Sequence, residues 1–218
     1  MRIVIAGGHG KIALLLAGLL TRRGDEVYSL IRNPDHAAEV AETGAEPVIL
    51  DLEKATAEQV AAALAGADAA VFAAGAGPGS SAARKYTVDR DGSIQLAQAA
   101  ERAGVRRFVQ ISTMGAGSAP APGTDEVWAA YIDAKTQAEN DLPARPLAWT
   151  ILRPGRLTDA PPTGHIALTE PPGPAGAIPR ADVAATLAAI LHADNTIAKT
   201  LELIEGTTPI PTAVTAIN

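Results

Sequence analysis

Short, mostly apolar blocks alternate along the chain with longer blocks in which apolar residues recur every three or four positions. The first block, Arg2-Ile-Val-Ile-Ala6, reads as a buried parallel strand bounded by glycines. Lys11 to Arg23 follows with helical spacing, and Gly24 supplies a stop signal. The same reading places strands at Glu26–Ile31, Pro47–Leu50, Ala69–Ala74, Arg107–Ile111 and Trp149–Leu152. Between them it places helices at Pro34–Thr43, Thr56–Leu64, Lys85–Ala103 and Asp125–Asp141, with Gly44 and Gly104 as stops. Short apolar strands separated by helices imply parallel strands joined by crossovers. The predicted fold is therefore an α/β, doubly wound, mostly parallel sheet.

The pattern changes after Pro154. Seven of the 16 prolines lie between Pro154 and Pro179, together with four glycines, and this segment is predicted to form neither regular helix nor sheet. A helix at Arg180–His192, a strand at Thr200–Ile204 and a short tail complete the chain. The expected organisation is one doubly wound domain over residues 1–218. Residues 155–179 and 194–218 would form a small lobe covering a small, partly open pocket.

Composition narrows the chemistry. A length of 218 residues suits one domain with a substantial core. The net charge of −6 argues against nucleic acid or an anionic membrane as a partner. With no cysteine there is no disulfide, thiolate metal site or Cys nucleophile, and His9, His36, His165 and His192 form no zinc-binding spacing. Nothing reads as a membrane span or a signal peptide, so the expected location is the cytoplasm. The abundance of Ala, and of Arg over Lys, suggests a GC-rich bacterial genome. The expected partner is a small-molecule substrate, and the chain is expected to be a monomer or homodimer.

Gly7-Gly8-His9-Gly10-Lys11-Ile12-Ala13 lies between the first strand and the first helix. Gly7 permits the tight turn, Gly10 lets backbone approach a pyrophosphate, and Ala13 lets helix and strand pack closely. The helix N-terminus would face the phosphates with its N–H groups. In this context the motif points to a dinucleotide. His9 is expected to offer only backbone, while Lys11 could reach a phosphate or face solvent. The second strand ends in Arg32-Asn33 without an acid, which favours NADP over NAD because a guanidinium suits a 2′-phosphate. Asp51-Leu52 and Ala73-Ala74-Gly75 end the third and fourth strands and would border the adenine and the ribose. Arg84 and Lys85 open the long helix; they are read as solvated, with a phosphate partner as the other option.

A second constellation follows the fifth strand. Ser112-Thr113 ends that strand, and Tyr131 and Lys135 lie four apart on the next helix, sharing one face. A Lys ammonium beside a Tyr hydroxyl favours the phenolate, so such a Tyr can exchange a proton with a carbonyl or carbinol oxygen. A hydroxyl at the strand end, from Ser112 or Thr113, can hold that oxygen. Arg153-Pro154-Gly155 reads either as a turn bordering nicotinamide and substrate or as a rigid strand exit. His165 is expected in a solvated loop, and Trp128 and Trp149 are expected to pack.

With these pieces in place the chain resembles the atypical branch of the short-chain dehydrogenase/reductase superfamily, near its NmrA-like, flavin-reductase-like and epimerase-like members. The matching residues are Gly7-Gly-His-Gly10-Lys-Ile-Ala13, Asp51-Leu52, Val88-Asp-Arg-Asp-Gly92, Gly104-Val-Arg-Arg-Phe-Val-Gln-Ile-Ser-Thr113, Tyr131-x3-Lys135 and Leu152-Arg-Pro-Gly155. The resemblance implies an NAD(P) site built from Gly7, Gly8, His9, Gly10, Lys11, Ile12, Arg32, Asp51, Leu52, Ala73, Ala74, Gly75, Ile111, Ser112, Lys135, Arg153, Pro154 and Gly155. Many atypical members lack the Tyr-x3-Lys pair, which is kept here. The Asn that typical members place after the fourth strand is absent, and Asp89 and Arg90 occupy that neighbourhood. The expected activity is an NADP-dependent oxidoreductase passing a hydride between nicotinamide and a small carbonyl, quinone or flavin-like acceptor. Tyr131 would be the acid/base, Lys135 its activator and ribose clamp. The alternatives are a small epimerase or dehydratase and a non-catalytic NADP(H)-sensing regulator.

Overall fold

The computed structural model describes residues 1–119 and 123–218. The first strand, β1 (Arg2–Ala6), is buried from Ile3 to Ala6, and its side chains alternate between two apolar layers. Ile3 and Ile5 enter one apolar cluster, Val4 and Ala6 the other. The chain then runs through α1 (Lys11–Arg22), β2 (Glu26–Ile31), α2 (Ala37–Glu42), β3 (Glu46–Ile49), α3 (Ala57–Ala63) and β4 (Ala69–Phe72). A continuous helical segment follows. It comprises α4 (Ala82–Arg84), a π-helical stretch over Lys85–Asp91, and α5 (Gly92–Ala103), which ends at Gly104 with φ 74°. Next come β5 (Arg107–Ile111), α6 (Glu126–Asp141), β6 (Ala148–Pro154), β7 (Arg156–Thr158), β8 (His165–Thr169), β9 (Ala177–Pro179) and α7 (Arg180–Ile190). The last elements are β10 (Lys199–Glu205), β11 (Thr208–Pro209) and α8 (Ile210–Thr215).

The fold is the doubly wound α/β sheet that the pattern predicts. The main sheet has nine strands in the order β11-β8-β10-β6-β5-β4-β1-β2-β3. The seven from β10 to β3 are parallel; at one margin β8 runs antiparallel to its two neighbours, β10 and β11. The cluster of Ile3, Ile5 and Val71 lies under α1 and α7; that of Val4, Ala70, Phe72 and Phe108 lies under α3 and α5. Strand order reverses between β1 and β4, and a ligand crevice forms at the carboxyl ends of strands flanking such a point. Local signals agree with the elements. Thr56 and Gln59 form a reciprocal capping box on α3, and Asp125 accepts a hydrogen bond from the Trp128 N–H to cap α6. No helix among the described residues is long and apolar enough to cross a membrane.

One expectation is overturned. The stretch from Pro154 to Pro179 is not devoid of regular structure: it contains β7, β8 and β9. Its prolines end strands (Pro154, Pro179) or lie between them (Pro161, Pro162, Pro171, Pro172, Pro174), leaving His165–Thr169 free to pair. β8 joins β10 antiparallel, with Leu168 opposite Leu203. β7 and β9 form a separate two-stranded parallel sheet. The tail is also more regular than expected, because Pro209 and Pro211 start α8 rather than break it.

Candidate functional site

The β1–α1 turn is shaped by missing side chains. Gly7 has φ 79°, and a Cβ there would lie 2.5 Å from Ala74 Cα on the chain leaving β4. A Cβ on Gly8 would meet Ser29 Cβ on β2 at 2.5 Å. Gly10 is the N-cap of α1, and no side chain caps that helix. The first N–H groups of α1 therefore have no side-chain acceptor, which suits an anionic group. Ala13 is buried where α1 meets the sheet.

Beside the turn lies a cleft of ≈ 140 Å³ whose lining includes Gly7, Arg32, Leu52, Ala74, Gly75 and Val88. Asp51 also lines it; its Oδ1 accepts a hydrogen bond from the Glu53 N–H at 3.1 Å and shapes the turn after β3. The Arg32 side chain is 58% exposed, with Nη1 3.7 Å from Glu53 Oε2. The same oxygen accepts from Arg84 Nη2 at 2.6 Å, and Glu53 Oε1 accepts from the Thr87 hydroxyl at 2.8 Å. The hydrogen bond from Arg84 holds the Glu53 carboxyl below its ordinary value; Thr87 and Arg32 add to this, and partial burial opposes it. Sequence reasoning missed Glu53, although it directly follows Asp51-Leu52, and it read Arg84 as solvated. His9 departs from expectation as well. Its ring stacks on His36 with centroids 3.5 Å apart, and its Nε2 lies 2.6 Å from Glu39 Oε2. Lys11 pairs with Asp159 at 2.7 Å.

The Tyr131 region lies at the carboxyl ends of β4 and β5. Lys135, one turn along α6 from Tyr131, is buried. Its Nζ donates to the Ile111 carbonyl at 3.1 Å and sits 3.3 Å from Asp89 Oδ1. Asp89 Oδ2 accepts from the Ala76 N–H at 3.0 Å, so this buried pair ties α6 to β5 and to the loop after β4. The π-helical stretch carries both Lys85 and Asp89, and such widened turns recur at functional sites. Lys85 is only 8% exposed, which corrects its reading as a solvated residue. Its Nζ donates to the Gly77 carbonyl at 2.8 Å and lies 5.4 Å from the Tyr131 ring centre; the Lys135 Nζ lies 5.9 Å from that centre.

The two hydroxyls left open by the sequence differ. Thr113 Oγ1 donates to the Met114 carbonyl at 3.3 Å, whereas Ser112 Oγ is buried with no hydrogen-bond partner among the described residues. Trp128 is 52% exposed and 5.3 Å from the Tyr131 ring, so it flanks the site rather than packing in the core.

Arg153 sits at the end of β6, where its guanidinium grips the Glu139 carboxylate of α6 and lies 3.9 Å from Glu202. Gly155 is packed so that a Cβ would lie 2.4 Å from the Gly176 carbonyl oxygen. Both features favour the strand-exit reading of this turn. His165 is not in a loop: it opens β8, with Nδ1 2.8 Å from the Thr163 carbonyl oxygen.

A parallel sheet with a strand-order reversal, a glycine turn leading into an uncapped helix, and an adjoining cleft define a dinucleotide-binding Rossmann protein. The bare turn and the uncapped helix fit the diphosphate of a dinucleotide. The chain belongs to the NAD(P)H-binding family, whose model matches residues 7–194, in keeping with the atypical short-chain dehydrogenase/reductase superfamily. It is 34% identical over 215 residues to a Bacillus subtilis protein called the uncharacterized sugar epimerase YhfK, covering 98% of this chain and 99% of that one. A solved structure from Bacillus halodurans, provisionally described as an NAD-dependent epimerase/dehydratase, superposes with a TM-score of 0.90 at 33% identity, covering 98% of each chain. ChuY, an anaerobillin reductase from Escherichia coli O157:H7, superposes with a TM-score of 0.80 at 25% identity, covering 94% of this chain and 97% of that one.

Proposed function

We propose that this protein is an NADP(H)-dependent reductase of a small carbonyl, quinone or flavin-like acceptor. The observation that carries the reading is the buried, unpartnered Ser112 hydroxyl at the end of β5. A buried hydroxyl without a partner costs stability unless a ligand completes it. Tyr131 adds a second hydroxyl with no hydrogen bond to any described residue.

Gly7, Gly8 and Gly10 would give backbone access to the diphosphate, with the first turn of α1 as its anion site. Arg32 would take the 2′-phosphate, and Asp51 and Leu52 would border the adenine. When bound, the reduced nicotinamide supplies a hydride to the acceptor. For a carbonyl acceptor, whose carbon would take the hydride, Ser112 would donate a hydrogen bond to the carbonyl oxygen and Tyr131 would deliver the proton that this oxygen gains. Lys135, fixed by Ile111 and Asp89, would position Tyr131 and the ribose. The reductase name of ChuY supports this direction of chemistry; the epimerase names of the Bacillus proteins favour a second, redox-neutral reading.

The test is NADPH oxidation against a panel of carbonyl, quinone and flavin acceptors. For an active acceptor, Tyr131→Phe is expected to lower kcat by about 100-fold while NADPH still binds. Wild-type rates retained in Tyr131→Phe would remove Tyr131 from the chemistry. NADPH binding with no turnover on any acceptor would favour the sensing role, and epimerisation without net NADPH consumption would favour the second reading.

A further inference from the structure

The cleft beside the glycine turn carries one feature that dinucleotide binding alone does not explain. Two arginines from separate parts of the chain, Arg32 after β2 and Arg84 at the end of α4, reach the same oxygen of one carboxylate, Glu53. Thr87 donates to the other oxygen. Two guanidinium groups and a hydroxyl around a single small anion form a donor set suited to a phosphomonoester. All three charged residues line the cleft. The Arg32 side chain is more than half exposed and makes only a long contact with the carboxylate, so it can turn to another anion.

We infer that Arg32, Arg84 and Thr87 form a socket for the 2′-phosphate of NADP, and that Glu53 fills this socket when no phosphate is present. Glu53 thereby sets the ratio of NADPH to NADH affinity. A dianionic phosphate beside a carboxylate is repelled, so NADP must displace the Glu53 side chain to take both arginines. NAD has no 2′-phosphate and leaves the carboxylate on its arginines. Glu53 is thus a built-in competitor that lowers NADP affinity without touching the nicotinamide end. The inference rests on the proposed reading of this cleft as the adenosine end of the dinucleotide site.

The test uses the full chain and four probes: NADPH, NADH, 2′,5′-ADP and 5′-AMP. The reduced nucleotides are titrated by nicotinamide fluorescence, and the two adenosine phosphates by competition. Glu53→Gln is expected to improve NADPH affinity relative to NADH by about fivefold or more, a gain of the size that loss of a close like charge gives. The same shift is expected for 2′,5′-ADP relative to 5′-AMP, and it should shrink as salt is raised. Arg84→Ala is expected to cut the preference for the 2′-phosphate by about tenfold, as is Arg32→Ala.

Two results overturn the inference. One is a Glu53→Gln protein that loses affinity for NADH and 5′-AMP, because the carboxylate would then serve ribose hydroxyls. The other is an Arg84→Ala protein with an unchanged NADPH-to-NADH ratio. Failure of wild type to bind any of the four probes is a different outcome: it brings down the dinucleotide reading, and this inference with it.

Discussion

At the glycine turn the site takes its shape from side chains that are missing; around Tyr131 it takes its shape from side chains that hold one another. Gly7 and Gly8 lie so close to Ala74 and Ser29 that any Cβ collides. Across the sheet, Lys135 and Asp89 form a buried pair anchored to Ile111 and Ala76, and Arg153 is anchored to Glu139. The first construction is rigid and tolerates no addition. The second depends on each partner being present, so removing one member strands the others. The two regions should therefore fail in opposite ways, the turn by the addition of atoms and the network by their removal.

Substitutions test this contrast. The largest effect is expected from Asp89→Ala, which strands a buried ammonium and an amide; stability should fall by about 4 kcal/mol in urea unfolding. Asp89→Asn should recover part of this loss by keeping an acceptor for Ala76. Gly7→Ala should cost about 3 kcal/mol, combining left-handed backbone strain with overpacking, and should abolish NADPH binding. A Gly7→Ala protein that keeps wild-type stability would break the contrast at its cofactor end. Thr56→Ala, outside both the glycine turn and the Tyr131 network, removes a capping box and should cost about 1 kcal/mol in urea unfolding.

The smallest effect concerns acid. The Glu53 carboxyl in the folded protein titrates below its unfolded value. The unfolded chain therefore binds more protons in that window, and stability rises with pH across it. The contribution is present above the ordinary glutamate range and fades as pH falls through the lower, folded value. Its size should stay below about 1 kcal/mol for so exposed a cluster, and Glu53→Gln should flatten that part of the acid limb of unfolding.

Much of the fold was readable because β1, β2 and β5 are short, mostly apolar runs with glycine or proline nearby, and their limits match residue for residue. β8 was hidden because proline density was averaged over a long segment, whereas strand pairing depends on where each proline falls. The π-helical stretch at Lys85–Asp91 had no signal, since Tyr86 and Val88 are its only apolar residues and two positions define no period. Within the site, the glycine turn was legible because local backbone demands are written in local residues. The Glu53 cluster was not, because it joins three segments that only the assembled sheet brings together. Nor could sequence choose between Ser112 and Thr113, since adjacent hydroxyls differ only in where the strand end aims them.

The place of β10 in the sheet has a consequence for synthesis. Among the described residues β8 pairs with β10 and β11 alone, and both are translated after it. β10 must then slot between β6, made long before, and β8. On the ribosome the glycine-turn half of the sheet can assemble while β6 waits with a bare parallel margin and β8 has no partner. A translational pause in that interval would leave an apolar strand, Ala148–Pro154, open to pairing with a neighbouring nascent chain.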